Sequence, residues 1–329
     1  MGDGRDDLDD EWPVTLDSGS AGWSFYYWHP SAESAYQKLV ECLLFRDRIG
    51  TPRGMRIVGE SRAGKTSFLH NALLRLRREF PALAKGFLMS QPPAESRDVD
   101  GGLRQRYLEA ARHPAAPLYP TGKELKALSD TIWADCTGFA WDEAHLFYSE
   151  KSPYFIKQSA NLLRLTMNER KVPFIFLGTE VLDAYVTQAD ELRNRFRVRA
   201  FIGRFSIAND LDEQTYCDFL QAITDAAPVA FIPELTEQRM VFRTFCACEG
   251  LGGNLMDLVE RVVNRALREG QRVVGLEEFA DAFATEFSER ADAFSPFEEH
   301  TDDELINEIT RRAEVLRSVG AGQPSKGKR

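Results

Sequence analysis

The stretch Gly59-Glu60-Ser61-Arg62-Ala63-Gly64-Lys65-Thr66 constrains this chain more than any other part of it. A glycine, four unrestricted residues and then Gly-Lys-Thr, set between an apolar run at 55–58 and a helical pattern, is the signature of a loop that wraps phosphates. Glycine permits the turns that aim successive backbone N–H groups at one anion. Lys65 adds a point charge for the outer phosphates, and the Thr66 hydroxyl suits a magnesium ion. The nucleotide-holding set read from this stretch is Gly59, Glu60, Ser61, Arg62, Ala63, Gly64, Lys65, Thr66 and Ser67. Such a loop requires a strand before it and a helix after it, so it fixes the fold class as α/β.

The remainder of the chain fits that requirement. Short apolar runs at 55–58, 86–89, 137–141, 173–177 and 198–202 alternate with helical patterns, the rhythm of a parallel sheet covered by helices. After Ser206 the strand signal ends. Leu255, Leu258, Val259, Val262, Val263, Ala266 and Leu267 then fall at helical spacing, which predicts a small all-helical lid domain. Residues 1–30 read as an acidic, partly disordered segment carrying Asp3, Asp6, Asp7, Asp9, Asp10 and Glu11 and ending in the aromatic cluster Trp23-Ser24-Phe25-Tyr26-Tyr27-Trp28. That cluster reads as core or interface packing, with base stacking the lesser alternative. The expected domains are therefore 1–30, an α/β nucleotide-binding domain at 31–205 opening with a helix to about 48, a helical lid at 206–285, and a tail at 286–329. In the tail, Thr301-Asp302-Asp303-Glu304 forms a capping box for a last helix to about 317, a candidate partner-binding element.

Composition narrows the function classes. With 43% hydrophobic and 28% charged residues, and no run near the roughly 18 apolar residues of a membrane span, a membrane role is not expected. The acidic N-terminus is unlike a signal peptide, so a cytoplasmic location is expected. Five scattered cysteines make no disulfide framework, and Cys246-Ala247-Cys248 has no second pair at ligand spacing, so buried free thiols are expected. The net charge of −10 confines any DNA contact to a local basic strip.

A phosphate loop needs a carboxylate from another strand to complete a magnesium site. Asp142-Glu143, directly after the run 137–141, supplies it: Asp142 holds magnesium through water, beside Thr66, and Glu143 polarises the attacking water. Asp142-Glu143-Ala144-His145 also spells a helicase box, but a second helicase lobe does not fit a chain that turns helical after Ser206. Thr179 follows the run 173–177 at the carboxyl edge, where the γ-phosphate would lie. Arg193 and Arg195 precede the last strand; alone they read as solvated charges, but beside this site they fit an arginine finger offered to a neighbour's nucleotide, with Arg195 the first choice.

Through "MRIVGESRAGKTSFLHNAL", "FAWDEAHLF", "VPFIFLGTEVL", "ELRNRF" and "GLGGNLMDLVERVVNRAL", the chain resembles AAA+ ATPases over about residues 31–285. The first four stretches stand at the Walker A, Walker B, sensor 1 and arginine-finger positions. The wording "GESRAGKT", "LGTE" and "LRNRF", with the compact size, resembles the TniB/TnsC transposition regulators among them. The resemblance implies a slow ATPase, using ATP and Mg2+ and stimulated by assembly, DNA or a partner. It implies a homo-oligomeric ring of about six or seven subunits, or a filament, around double-stranded DNA without sequence specificity. Such an assembly links a TniQ-like target-selection protein, alone or with an RNA-guided CRISPR complex, to the transposase, and ATP hydrolysis drives disassembly. The alternatives are another AAA+ machine (loader, defence or protein-remodelling) and a nucleotide-binding scaffold with negligible turnover. The family's DNA-facing elements lie between the second strand and Walker B, where this chain offers Arg97, Arg104, Arg106, Lys123 and Lys126, with Pro92-Pro93 and Gly101-Gly102 suiting exposed loops. Two departures stand out. The stretch 252–257 lacks the arginine that AAA+ lids carry as sensor 2, leaving Arg261 or Arg265 as substitutes or hydrolysis slow, and Ala140-Trp141 stands where aliphatics are usual.

Overall fold

The computed structural model describes residues 25–44, 52–95, 97–149, 151–287 and 294–321. The acidic N-terminal segment, Trp23 and Ser24, the last turn of the helix expected to 48, and the Gly/Ser/Lys end lie outside the described residues. The chain divides into two compact units, Pro30–Gly203 and Arg204–Arg329, and the second also takes in the described residues just before Pro30.

The first unit is built on five parallel strands, β1 (Met55–Val58), β2 (Phe87–Ser90), β3 (Gly138–Trp141), β4 (Phe174–Gly178) and β5 (Val198–Phe201), in the order β2-β3-β4-β1-β5. Strands β3 and β4 are buried along their whole length, which is why they read as unbroken apolar runs. Edge strand β5 alternates instead, with Arg199 and Phe201 exposed. Helices α1 (Pro30–Leu44), α2 (Lys65–Glu79), α3 (Pro81–Ala84), α4 (Val99–Ala110), α5 (Gly122–Thr131), α6 (Pro153–Arg170), α7 (Val181–Gln188) and α8 (Asp190–Arg193) flank the sheet. The register Val58↔Gly178 puts the carboxyl end of β1 beside that of β4, and Asp142 N donates to Ser90 O just past β3.

Trp141, unusual in the sequence, is explained by its neighbours. It is fully buried, 4.8 Å from the Phe139 ring, 5.2 Å edge-on to Phe147 and 5.6 Å from Tyr107. Those rings come from β3, the turn after it and α4, and offset or edge contacts of this kind add to the area each ring buries. The indole thus packs the aromatic side of the core and leaves its Nε1 without a hydrogen-bond partner among the described residues.

The second unit holds α9 (Asp210–Ala226), α10 (Gln238–Cys248), α11 (Gly252–Glu269), α12 (Leu276–Glu286) and α13 (Asp302–Ala321). The expected helical stripe is realised: Leu255, Leu258, Val259, Val262, Val263 and Ala266 are all buried, and Leu267 is half-buried against them. The expectation of an all-helical lid is corrected by β6 (Ala230–Phe231), which pairs in parallel with β7 (Val273–Val274). Phe25 and Tyr27 pack their rings on Phe219, 6.3 and 5.7 Å away, so these two residues of the aromatic cluster serve as core. Helix α13 begins with the capping box: Thr301 N donates to Glu304 Oε2 (2.7 Å) and Glu304 N to Thr301 Oγ1 (3.3 Å). Its buried face, Leu305, Glu308 and Arg312, packs on α10, where Arg312 Nη1 donates to Cys246 O (2.9 Å).

The five cysteines are free, and no group of three or more His, Cys, Asp or Glu side chains placed to hold a metal ion occurs among the described residues. No helix among them is long and apolar enough to cross a membrane.

Candidate nucleotide site

The loop after β1 is held from two sides. Gly59 N donates to Gly178 O at the end of β4 (3.2 Å). A Cβ on Gly59 would lie 1.7 Å from Ile202 O, so the chain leaving β5 passes too close for any other residue. The loop then turns through Arg62 (φ +66°) and Gly64 (φ +88°), both left-handed, and delivers Lys65 as the first residue of α2. This helix has no side-chain cap and no acidic residue in its first turn, whereas α4, α6 and α9 are capped by Asp98, Ser152 and Asn209. Its first N–H groups and the positive end of its dipole are therefore available to an anion. Lys65 is buried, and its ammonium donates to Gly59 O (3.1 Å) and Glu60 O (2.7 Å), wrapping the loop around itself. Burial pulls the Lys65 pKa down, opposed by the nearby carboxylates of Glu143, Asp142 and Glu60.

Two strands away, Asp142 closes the site. Thr66 Oγ1 donates to Asp142 Oδ2 (2.8 Å), and Asp142 Oδ1 accepts from Glu143 N (2.9 Å). The carboxylate is only 5% exposed, so these two bonds fix it in place. A hydroxyl and a carboxylate, both hard oxygen donors, meet at one point beside a buried lysine, and that donor set fits Mg2+. Glu143 adopts the left-handed conformation (φ 50°, ψ 35°), which costs a non-glycine residue about 1–2 kcal/mol. Leu146 N donates to Glu143 O (2.9 Å), closing a tight turn over Ala144–Phe147 that returns His145 Nδ1 to within 3.2 Å of Glu143 Oε2. Sequence reasoning missed His145, although the box it completes was visible, because that box was weighed only as a helicase signature.

The other expected site residues fall in different places. Thr179 adjoins Gly178, whose carbonyl anchors Gly59, and so lies at the carboxyl edge beside the loop; its own carbonyl accepts from Leu182 N (2.9 Å) at the start of α7. Arg193, exposed at the end of α8, pairs with Asp190 (2.9 Å). The half-buried Arg195 side chain makes no hydrogen bond or ion pair with any described residue, while its carbonyl accepts from Gly54 N (2.8 Å). Neither guanidinium bonds to the loop, Asp142 or Glu143.

Among the basic residues between β2 and β3, Gly101 and Gly102 lie in the first turn of α4 rather than in an exposed loop, with Gly101 N bonded to the cap Asp98. Arg104 on α4 is engaged by Asp100 (2.8 Å), Ser129 (3.0 Å) and Asp130 (3.3 Å), and Arg106 by Glu109 (2.8 Å). Arg97 before α4, and Lys123 and Lys126 on α5, are exposed and unpaired among the described residues. Of the two candidate sensor 2 substitutes, Arg261 pairs with Glu286, and Arg265 with Glu269 (3.0 Å) and Asp281 (2.8 Å), tying α11 to α12.

No protein-family model and no curated protein matches the chain. Among solved structures, it is similar to the Aeropyrum pernix ORC1 protein in complex with DNA (TM-score 0.56, 17% identity), covering 77% of this chain and 64% of that one. It is similar to the Aeropyrum pernix ORC2 protein in ADPNP-ADP complexes (TM-score 0.54, 13% identity; 84% and 70%) and to Cdc6p from Pyrobaculum aerophilum (TM-score 0.52, 14% identity; 81% and 70%). The chain thus spans just under two thirds of the length of the ORC1 protein. Taken with the five-stranded parallel sheet and the helical second unit, these likenesses show that the chain has the fold of the AAA+ P-loop ATPases.

Proposed function

We propose that this chain is an ATP-hydrolysing DNA transposition regulator of the TniB/TnsC type, which assembles on double-stranded DNA and links a target-selection protein to the transposase. The observation that carries the enzymatic part is the hydrogen bond from Thr66 to Asp142, which brings the phosphate loop and the acidic pair after β3 to one point. The free N–H groups of α2 and Lys65 bind the phosphates of ATP. Thr66 and Asp142 hold Mg2+, which when bound neutralises charge on the outer phosphates. Glu143 orients water for in-line attack and accepts its proton.

Assembly follows from what one subunit lacks. The Arg195 guanidinium has no partner among the described residues of its own chain and none at its own nucleotide loop, which suits a finger donated across a subunit interface, with Arg193 second because Asp190 already holds it. The DNA reading has a narrower base: among the described residues Arg97, Lys123 and Lys126 are exposed and unpaired cations of the β2–β3 segment, whereas Arg104 and Arg106 are engaged by internal carboxylates. With a net charge of −10, affinity would come from repeating these few contacts around an assembly.

The test is duplex binding with and without ATP across a salt series. Binding should require ATP, ignore sequence and weaken steeply with salt. Replacing Arg97, Lys123 and Lys126 by Ala should flatten the salt slope by about one for each phosphate no longer neutralised, with ATP binding retained. ATP-independent or absent DNA binding would favour a protein-remodelling AAA+ machine instead.

A further inference from the structure

We propose that His145 is a positioning residue for Glu143, holding its carboxylate for the attacking water; the inference rests on Glu143 being the water-orienting group. Glu143 is held left-handed, and the tight turn that follows folds the chain back so that the imidazole two residues later meets the carboxylate, with Nδ1 3.2 Å from Oε2.

The imidazole is also wedged from behind. Its ring is only 17% exposed and lies against Gly178, where a Cβ would stand 3.0 Å from His145 N, 3.2 Å from Nδ1 and 3.3 Å from its Cβ. Such spacing is tight enough that a side chain at 178 would push the ring. Gly178 is the residue whose carbonyl fixes Gly59 at the start of the phosphate loop. The ends of β1, β4 and the turn after β3 are thereby linked through one glycine and one imidazole.

Nδ1 is buried and makes no aligned hydrogen bond, although the carboxylate oxygen of Glu143 is beside it. Leaving a buried polar nitrogen unsatisfied is unfavourable, so a small turn of the Glu143 side chain that aligns Nδ1–H with Oε2 is downhill. A neighbouring carboxylate selects the tautomer with the proton on Nδ1. That bond would hold one carboxylate oxygen and leave the other to take the proton of the water, the role outer partners play when they orient a reacting group.

The full-length chain tests this by steady-state and single-turnover ATP hydrolysis alongside nucleotide-binding titrations. His145→Ala should lower kcat about 10- to 100-fold, the usual effect of removing an orienting partner, with KM and nucleotide affinity unchanged. His145→Asn, whose amide nitrogen can replace Nδ1, should recover most of the rate. In a Glu143→Gln background, His145→Ala should cause no further loss, because the group it positions is gone. The proposal is overturned if His145→Ala leaves kcat unchanged, if it weakens nucleotide binding as much as it slows turnover, if Asn rescues nothing, or if the loss persists undiminished in the Glu143→Gln background. Wild-type turnover by Glu143→Gln alone would instead overturn the hydrolytic role of Glu143, and this proposal with it.

Discussion

Replacing Glu143 by Gln separates binding from chemistry at this site, and the structure sets the size of each effect. Asp142 takes its second hydrogen bond from the backbone N of residue 143, a donor that Gln keeps. Lys65 and Thr66 bond to the loop carbonyls and to Asp142, not to the Glu143 side chain. That side chain is 40% exposed and lies 3.2 Å from His145 Nδ1, so the fold should lose no more than about 0.5 kcal/mol. Nucleotide affinity should be unchanged. The catalytic cost is different: a positioned general base contributes about 10²- to 10⁴-fold, equivalent to about 3–5 kcal/mol of barrier. The assay pairs phosphate release with binding of a fluorescent ATP analogue and a thermal melt. The reasoning fails if turnover stays at the wild-type rate. It also fails if nucleotide affinity drops tenfold or the melting temperature falls sharply, since Glu143 would then be supporting the loop rather than water.

Mixing Arg195→Ala subunits with Lys65→Ala subunits should restore part of the turnover that each lacks alone, because an intact finger then meets an intact pocket at some interfaces; no recovery at any ratio, with both variants folded, would count against a shared site. In the second unit, Arg311 first and Arg312 next hold the Glu308 carboxyl down at about 2, against the opposing effect of burial. The folded pKa lies below the usual carboxylate value of 4.5, so this pairing stabilises α13 above that value and is lost as pH falls from about 4.5 to about 2. Glu308→Gln should therefore destabilise the protein by about 2 kcal/mol at pH 7, after discounting for the exposed Arg311, with the difference from wild type closing near pH 2 in denaturant melts.

The parts of this molecule that were legible in the sequence are those determined locally. The sheet strands announced themselves because strands buried on both faces are uniformly apolar, yet their ends slid by a residue at β2 and β4, since a ladder ends where partners stop, not where hydrophobicity stops. The pair β6 and β7 was invisible: two residues each carry no periodicity, and each is a strand only because the other lies beside it. Trp141 was legible as a departure but explicable only once Tyr107 and Phe147 arrived from other elements. The phosphate loop is contiguous and was read directly. The engagement of Arg104 was half legible, through Asp100 at i−4, and half hidden in Asp130 on another helix. His145 was hidden because its approach to Glu143 depends on a left-handed residue two positions earlier, which no propensity of glutamate foretells.

The aromatic segment before Pro30 belongs to the same unit as Arg204 and all that follows, while Pro30–Gly203 forms the other. Among the described residues, the unit that carries the phosphate loop is therefore, in chain order, an insertion between two parts of its companion. A fragment begun at Pro30 would keep the whole sheet and phosphate loop and would look complete by every motif. It would nevertheless strip Phe219 of the rings of Phe25 and Tyr27 and open an apolar face in the second unit, where no motif would reveal the damage. The integrity of the second unit is thus written at both ends of the one that carries the phosphate loop, and a boundary drawn from motifs alone would cut through it.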